Sequence, residues 1–511
     1  VRLNLLLAGA TALLLILAFP KFDVALLAPF ALAPLLVAIE RTSASGRYAG
    51  FTIRDGRKIE RRTHTLARLF LLGWAAGIAY WAGVCYWIHF VLAVHGEMAQ
   101  WAAWLGYALF CLIKGLHLGV FALLAGFLLA RRWAAVTVPA LWAALEWTHT
   151  HLGFAWLDLG NAGIGMPVPA RLAPYTGVYG ISFVFALIAT VLALLVLRRP
   201  RLHLAPLLAL PLIALAPALP RAQRGTETAV LVQPNISETA AWTTQWVNAM
   251  QERLAALTYG AAFADPNEMP WLIVWPEAPL PVYYYEDSDA RAWADGVARR
   301  TRAYLILNVT PHNAAGMPLN SALLVSPEGT ALGRYDKVNL VPFGEYVPWP
   351  FHALVAKISS ESGDFAPGAR QPTLTAGTHR IGAFVCYESV FPDYVRRFAR
   401  DGAGLLVNIS NDGWYGRTAA REQHLKIVRM RAAENRRWIL RATNDGITAT
   451  IDPAGRVYRN LPPYVEGATR TRYSWVTATT FYSRHGDWFV LLCAVLATAG
   501  LGEALARRRA G

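Results

Sequence analysis

The sequence predicts a bundle of membrane-spanning α-helices joined to an α/β domain, and three observations carry that prediction. Hydrophobic residues make up 55% of the chain against 16% charged, a balance tilted toward membrane. Long apolar runs fill residues 1–220 and return in 485–511. Between them, over 221–484, short β-branched runs alternate with polar or helical ones, the pattern of a layered α/β domain. The chain therefore reads as a seven-span block, an external domain and a final span with a basic tail.

A bilayer core takes about 20 apolar residues in a helix. Candidate spans lie near 4–20, 24–40, 66–92, 100–130, 134–150, 172–197, 203–219 and 487–506, eight in all. The run 100–130 reads either as one long tilted helix or as two short ones around Lys114 and His117. Charge decides for one helix, because basic residues collect at cytoplasmic ends. With one helix, Arg41, Arg47, Arg54, Arg57, Lys58, Arg61, Arg62 and Arg68 share a side with Arg131, Arg132, Arg198, Arg199 and the tail Arg507–Arg509. The same parity places 221–484 outside the cytoplasm. These clusters account for much of the net charge of +15, so the excess reads as membrane topology rather than a nucleic-acid surface. The first span reads as a retained anchor, and Val1 as an alternative start.

In the external domain, strands are expected at 228–233, 272–275, 304–309, 320–326, 380–385, 404–409, 438–443 and 446–451, and helices near 238–258, 288–301, 391–401 and 419–437. Open α/β sheets place their ligands beyond strand ends, and three polar groups stand there. "VWPE" ends a strand with Glu277. "YDKVNLVPFGEYVP" carries Lys337 and Glu345 on loop, given Pro342, Gly344 and Pro348. "FVCYES" ends a strand with Cys386, followed by Tyr387 and Glu388.

Cys85, Cys111 and Cys493 fall in predicted spans, which leaves Cys386 as the one cysteine of the external domain. An exported domain normally pairs its thiols, so a lone thiol at a strand-to-helix elbow is either an inert core residue or a nucleophile. A cation and a helix N-terminus lower a thiol's pKa. Lys337 and the helix after Cys386 would supply both, with Glu277 as the base that takes the proton. Lys337, with a backbone N–H at the elbow, would also stabilise an oxyanion.

The strings "VWPE", "YDKVNLVPFGEYVP", "FAPG", "VCYES" and "LLVNISNDGWYG", in that order behind a block of spans, resemble the apolipoprotein N-acyltransferase family, a membrane-embedded branch of the nitrilase (carbon–nitrogen hydrolase) superfamily. The resemblance implies an αββα sandwich with a Glu277–Lys337–Cys386 triad, Glu345 supporting it, and Tyr387 and Glu388 shaping the cysteine loop. It also implies Asn411, Asp412 and Trp414 as pocket liners, and a buttressing helix whose His424 is structural. The segment 146–160 departs from the family pattern, with Gly153-Phe154-Ala155-Trp156 in place of Gly-Phe-Pro-Trp.

The implied reaction moves an acyl group from a membrane phospholipid through a thioester on Cys386 to the α-amine of a diacylglyceryl-cysteine at an apolipoprotein N-terminus. The implied place is a bacterial inner membrane, with catalysis on the periplasmic side. Holding the domain at the bilayer has a physical reason: at about 0.8 kcal/mol per methylene, drawing about 15 methylenes into water costs on the order of 12 kcal/mol. The aromatic-rich loops 92–100 and 150–171 are expected at the acyl portal. Two rivals stand beside this reading, a membrane-tethered amidase and a non-catalytic carrier or transporter using Lys114 and His117. No cofactor or metal is expected, since HExxH, paired Cys, Walker and GxSxG patterns are all absent.

Overall fold

The computed structural model describes residues 2–48, 60–151, 154–237, 243–277, 282–347 and 365–509. Arg54, Arg57 and Lys58 of the basic loop, residues 238–242 of an expected helix, Gly153 and Pro348 lie outside them. The chain divides into two compact units: Val1–His89, Gln100–Ala218 and Asp487–Gly511 form one, and Phe90–Ala99 with Leu219–Gly486 the other.

The first unit is helical. Its elements are α1 (Arg2–Leu17), α2 (Ala33–Tyr48), α3 (Glu60–Val84), α4 (Trp87–Phe90, which crosses the unit boundary), α5 (Gln100–Leu128), α6 (Ala134–Trp147) and α7 (Ala173–Val196). Five helices are long and apolar enough to cross a membrane among the described residues: Ala25–Ala44, Thr65–Val84, Gln100–Leu128, Pro169–Val196 and Trp488–Arg507. The run around Lys114 is one continuous helix, as the charge argument required. Lys114 stays within it because its ammonium donates to the Phe154 carbonyl at 2.8 Å and stands 4.4 Å above the Trp81 ring. Small residues let α3 and α5 approach backbone to backbone: a Cβ on Gly77 would lie 2.7 Å from the Gly115 oxygen. The expected span near 203–219 takes a different form, a 3-10 helix over Arg201–Leu215, because Pro206 and Pro211 remove the donors an α-helix needs.

The second unit contains two six-stranded sheets. The first runs in the order β12-β1-β2-β3-β4-β5 and the second β11-β10-β9-β8-β7-β6. In the first are β1 (Glu227–Gln233), β2 (Leu272–Val274), β3 (Tyr304–Val309), β4 (Ser321–Val325), β5 (Ala331–Asp336) and β12 (Gly467–Tyr473). In the second are β6 (Leu374–Ala376), β7 (His379–Val385), β8 (Leu405–Ser410), β9 (Ile439–Thr443), β10 (Thr448–Ile451) and β11 (Val457–Leu461). Each sheet holds a parallel core, β1-β2-β3 and β7-β8-β9, flanked by antiparallel strands. Leu231, Val274 and Ile306 from one sheet bury against Ala383, Val407 and Leu440 from the other. Val230, Ile273 and Leu305 alternate to the opposite face, where they pack under α8 (Thr244–Ala262) and α9 (Ser288–Thr301). Beyond the second sheet lie α10 (Pro392–Arg400) and α11 (Ala420–Asn435), which completes an αββα sandwich. At about 1.5–3 kcal/mol for each fully buried aliphatic side chain, this double core is what fixes the strand ends in space.

Candidate active site

Four chemistry-bearing groups follow directly on strand ends. Glu277 comes three residues after β2, Lys337 one after β5, Cys386 one after β7 and Asn411 one after β8. The sheets bring the Glu277, Lys337 and Cys386 side chains and the Asn411 backbone N–H together in a buried cluster. The Lys337 ammonium, 1% exposed, lies 2.9 Å from Glu345 Oε1 and 3.4 Å from Glu277 Oε1. Burial opposes its charge, but the two carboxylates more than offset that and hold its pKa above the ordinary lysine value.

Asn320 binds the two carboxylates together, its Nδ2 donating at 2.8 Å to Glu277 Oε1 and at 2.8 Å to Glu345 Oε1. Its orientation is fixed in turn by Asn308, whose Nδ2 donates to Asn320 Oδ1 at 2.8 Å. The remaining oxygens are occupied too: Glu277 Oε2 accepts from the Asn411 backbone N–H at 2.9 Å, and Glu345 Oε2 from that of Val341 at 2.8 Å. The Phe365–Gly368 segment pins the loop from outside, with the Phe365 N–H on the Glu345 carbonyl and the Gly368 N–H on that of Lys337.

Cys386 opens a five-residue 3-10 helix, Cys386–Val390, and bends there with φ +48, a left-handed conformation costly for a residue with a Cβ. Glu388 holds that bend. Its Oε2 accepts from the Val385 N–H at 2.8 Å, and its Oε1 from the Val338 and Asn339 N–H groups and from the Tyr335 hydroxyl. Because Val338 and Asn339 adjoin Lys337, one buried carboxylate ties the cysteine elbow to the lysine loop. Burial first, then the Glu277 charge, push the Cys386 thiol up, and Lys337 and a hydrogen bond from Ser410 pull it down without prevailing. The expected lowering by a cation and a helix end is thus outweighed, and the resting group is a thiol that needs a base.

The chain is 34% identical to the apolipoprotein N-acyltransferase of Geobacter metallireducens, over 99% of this chain and 96% of that one. It belongs to the apolipoprotein N-acyltransferase family. This family member is also 37% identical to the apolipoprotein N-acyltransferase of Azotobacter vinelandii, over 74% of each chain. Residues 57–191 match the apolipoprotein N-acyltransferase N-terminal domain, and residues 228–474 match the carbon–nitrogen hydrolase domain. Among solved structures, an amidase from Nesterenkonia sp. AN1 is similar with 20% identity and a TM-score of 0.38, covering 51% of this chain and 97% of that one.

Other residues of this apolipoprotein N-acyltransferase-family chain fall into place around the cluster. Tyr387 is buried edge-on against Phe391. Asn411 caps the 3-10 helix Asp412–Tyr415, accepting from the Gly413 N–H, while its own N–H reaches Glu277. Asp412, expected as a liner, is fully buried: Arg441 Nη2 donates to both its oxygens, at 2.9 and 2.8 Å. His424 is structural, with Nδ1 3.1 Å from Asp412 and Nε2 2.8 Å from the Ser389 hydroxyl and 3.2 Å from the Cys386 carbonyl. Asn320, Asn308, Tyr335, Ser410 and Arg441 went unread in the sequence. Each gains its role from a partner far along the chain, and no local pattern marks them.

Trp414 meets a segment that the sequence assigns to a loop between spans. Residues 90–99 belong to the same compact unit as the cluster, with the His95 ring 4.5 Å from Trp414. Phe90 packs on Gly416, where an added Cβ would lie 2.5 Å from the Phe90 ring. Gly416 has φ 57 and ψ −158, a conformation essentially reserved for glycine. Gly416→Ala is therefore expected to cost about 1–3 kcal/mol through backbone strain and displacement of Phe90. Thermal unfolding in detergent checks this, with Phe90→Ala in the same chain restoring part of the loss.

Proposed function

We propose that this chain N-acylates the α-amine of the diacylglyceryl-cysteine at the N-terminus of apolipoproteins, with membrane phospholipid as donor and Cys386 as the nucleophile. The observation that carries the proposal is the buried Glu277–Lys337–Glu345 cluster acting on a thiol at an adjoining strand end. In the first half, Glu277 accepts the Cys386 proton as sulfur bonds to the ester carbonyl carbon. The ester C–O bond breaks, and the proton passes from Glu277 to the departing lysophospholipid oxygen. In the second, Glu277 takes a proton from the lipoprotein amine as nitrogen bonds to the thioester carbon. The C–S bond then breaks and the thiolate recovers its proton. Lys337, kept an ammonium by Glu277 and Glu345, faces the developing oxyanion of both tetrahedral intermediates. Tyr387, Glu388, Asn411 and Trp414 support the site and its substrates.

The membrane part is proposed as eight spans, with domains at 1–220, 221–484 and 485–511, in a bacterial inner membrane with the catalytic part in the periplasm. Two features support this. At about 2.0 Å per residue, the fifteen-residue 3-10 helix Arg201–Leu215 reaches about 30 Å, the thickness of a bilayer core. Residues 90–99, on the side opposite the Arg41–Arg68 loop by parity, pack within the catalytic unit. The half-exposed Val91, Leu92 and Met98 there, with Val94 exposed, offer apolar surface to an acyl chain at the rim marked by Trp414.

The test is intact mass after incubating purified protein with a defined phospholipid. A hydroxylamine-sensitive acyl adduct is expected on the wild type, absent from Cys386→Ala and discharged by a diacylated lipopeptide. A folded protein that forms no adduct and transfers no acyl group would move the reading to the amidase or the non-catalytic carrier.

A further inference from the structure

The helical unit contains a polar cluster that acyl transfer does not use. Helices α1, α3, α5 and α6, with the 3-10 turn Thr148–Thr150, line a small cavity of about 20 Å³. Trp81, His117, Trp142, Glu146 and His149 are among its lining residues. Two of the five present a buried ring nitrogen without a hydrogen-bond partner, Trp81 Nε1 and His149 Nδ1. The other three are engaged. Glu146 Oε1 accepts from the Leu159 N–H at 2.6 Å, and His117 Nε2 lies 3.1 Å from the Thr148 hydroxyl. The rings are fixed by packing: His149 meets His117 edge-on at 4.0 Å and Trp81 at 5.8 Å, and the Lys114 ammonium stands 4.4 Å from the centre of the Trp81 ring.

We propose that this cavity is a binding site for one water molecule that ties α3 to the 3-10 turn following α6. A cavity needs about 10–15 Å³ of probe volume and two to four polar partners to hold a water, and this site meets both conditions. The chemistry selects water over an ion. The Trp81 indole N–H offers a hydrogen and repels a cation, the His149 Nδ1 lone pair repels an anion, and a neutral molecule that both accepts and donates answers the two. Trp81 donates to the water oxygen, and one of the water hydrogens goes to His149 Nδ1. Trp142 and Glu146, four residues apart on α6, hydrogen-bond each other, Ser182 also bonds Glu146, and His117 bonds the Lys114 carbonyl. Trp81 and His149 carry the strongest need. In a bilayer no outside water can meet it, so an unanswered group there is costly.

X-ray radiolytic footprinting of the full chain in detergent tests this, because hydroxyl radicals form from bound water inside a protein and oxidise the side chains touching it. Trp81, 1% exposed, is expected to oxidise several-fold faster than Trp156, which is 2% exposed and does not line the cavity. His149→Phe, which fills the cavity and removes an acceptor, is expected to bring Trp81 down to the Trp156 rate. Equal rates for Trp81 and Trp156 in the folded wild type would overturn the proposal without any variant. A fast Trp81 that persists in a folded His149→Phe chain would also overturn it, since the source of radicals would then lie elsewhere.

Discussion

Glu277→Gln is expected to lower acyl transfer by about 100- to 10,000-fold, the range associated with loss of a general base. The Cys386 thiol is held protonated by burial and by the Glu277 charge itself, so removing the carboxylate takes away the proton acceptor and one cause of the high pKa together. The two effects separate experimentally. Formation of the acyl-enzyme in a single turnover should slow, while the pH midpoint for alkylation of Cys386 by iodoacetamide should move lower. Rearrangement cannot easily rescue the variant. Asn411 N–H donates to one oxygen of Glu277, and Asn320 and Lys337 donate to the other, so the amide nitrogen of a glutamine must face a donor in either orientation. Asn320 cannot turn over to accommodate it, because Asn308 holds its oxygen. A local destabilisation of about 1–3 kcal/mol accompanies the loss of activity. Unchanged transfer with an unchanged alkylation midpoint would remove Glu277 from the mechanism.

Arg441→Met is expected to destabilise the α/β unit by about 3–5 kcal/mol, the cost of leaving one member of a buried ion pair without the other. Both side chains are 0% exposed, and Arg441 is the chief cation at Asp412, donating also to Asn408. Burial alone would raise the Asp412 pKa. The guanidinium more than offsets this, with His424 adding to it, and holds the carboxyl well below the usual carboxylate range. The sign of the pH dependence follows. A carboxylate whose folded pKa is depressed contributes stability that is present above its unfolded value of about 3.9 and lost as pH falls through the folded one. In Arg441→Met that contribution is lost at neutral pH. Thermal melts of the two proteins should therefore differ most at pH 7 and converge as the medium is acidified below pH 4. Asp412→Ala in the variant background should recover part of the loss, because no uncompensated charge then remains. Equal melting temperatures at pH 7 would show the pair to be energetically idle.

Much of this arrangement was legible in the sequence, and the reasons differ by element. β3 and α9 begin and end where the β-branched run 304–309 and the helical run 288–301 do, since both combine a clean periodicity with polar punctuation. β5, β6, β11 and β12 were not read. β5 and β12 are edge strands, the first exposed or half-exposed at five of its six positions and the second mixing half-exposed with buried ones, and β6 has only three residues. Strand pairing creates these elements, with Val230 opposite Arg470 for one, and a local window does not contain the partner. Glu277, Lys337, Glu345 and Cys386 stood out because Pro, Gly and strand ends mark their surroundings. Arg441 did not, because a single arginine in "WILRAT" looks like a solvent-facing strand position until Asp412 is found beside it.

The membership of residues 90–99 in the catalytic unit has a consequence for biosynthesis. These residues leave the ribosome roughly 300 residues before Trp414 and Gly416, a wait of about 15–60 s at ~5–20 residues per second. Through that interval Phe90 lacks Gly416 and His95 lacks Trp414, the surfaces on which they finally pack. The catalytic unit is therefore completed late, by a segment delivered early, and a gene cut at residue 220 would yield a domain missing a piece made before it. Late closure also sets an order: the contacts of Phe90 with Gly416 and of His95 with Trp414 cannot form until those two residues have been made.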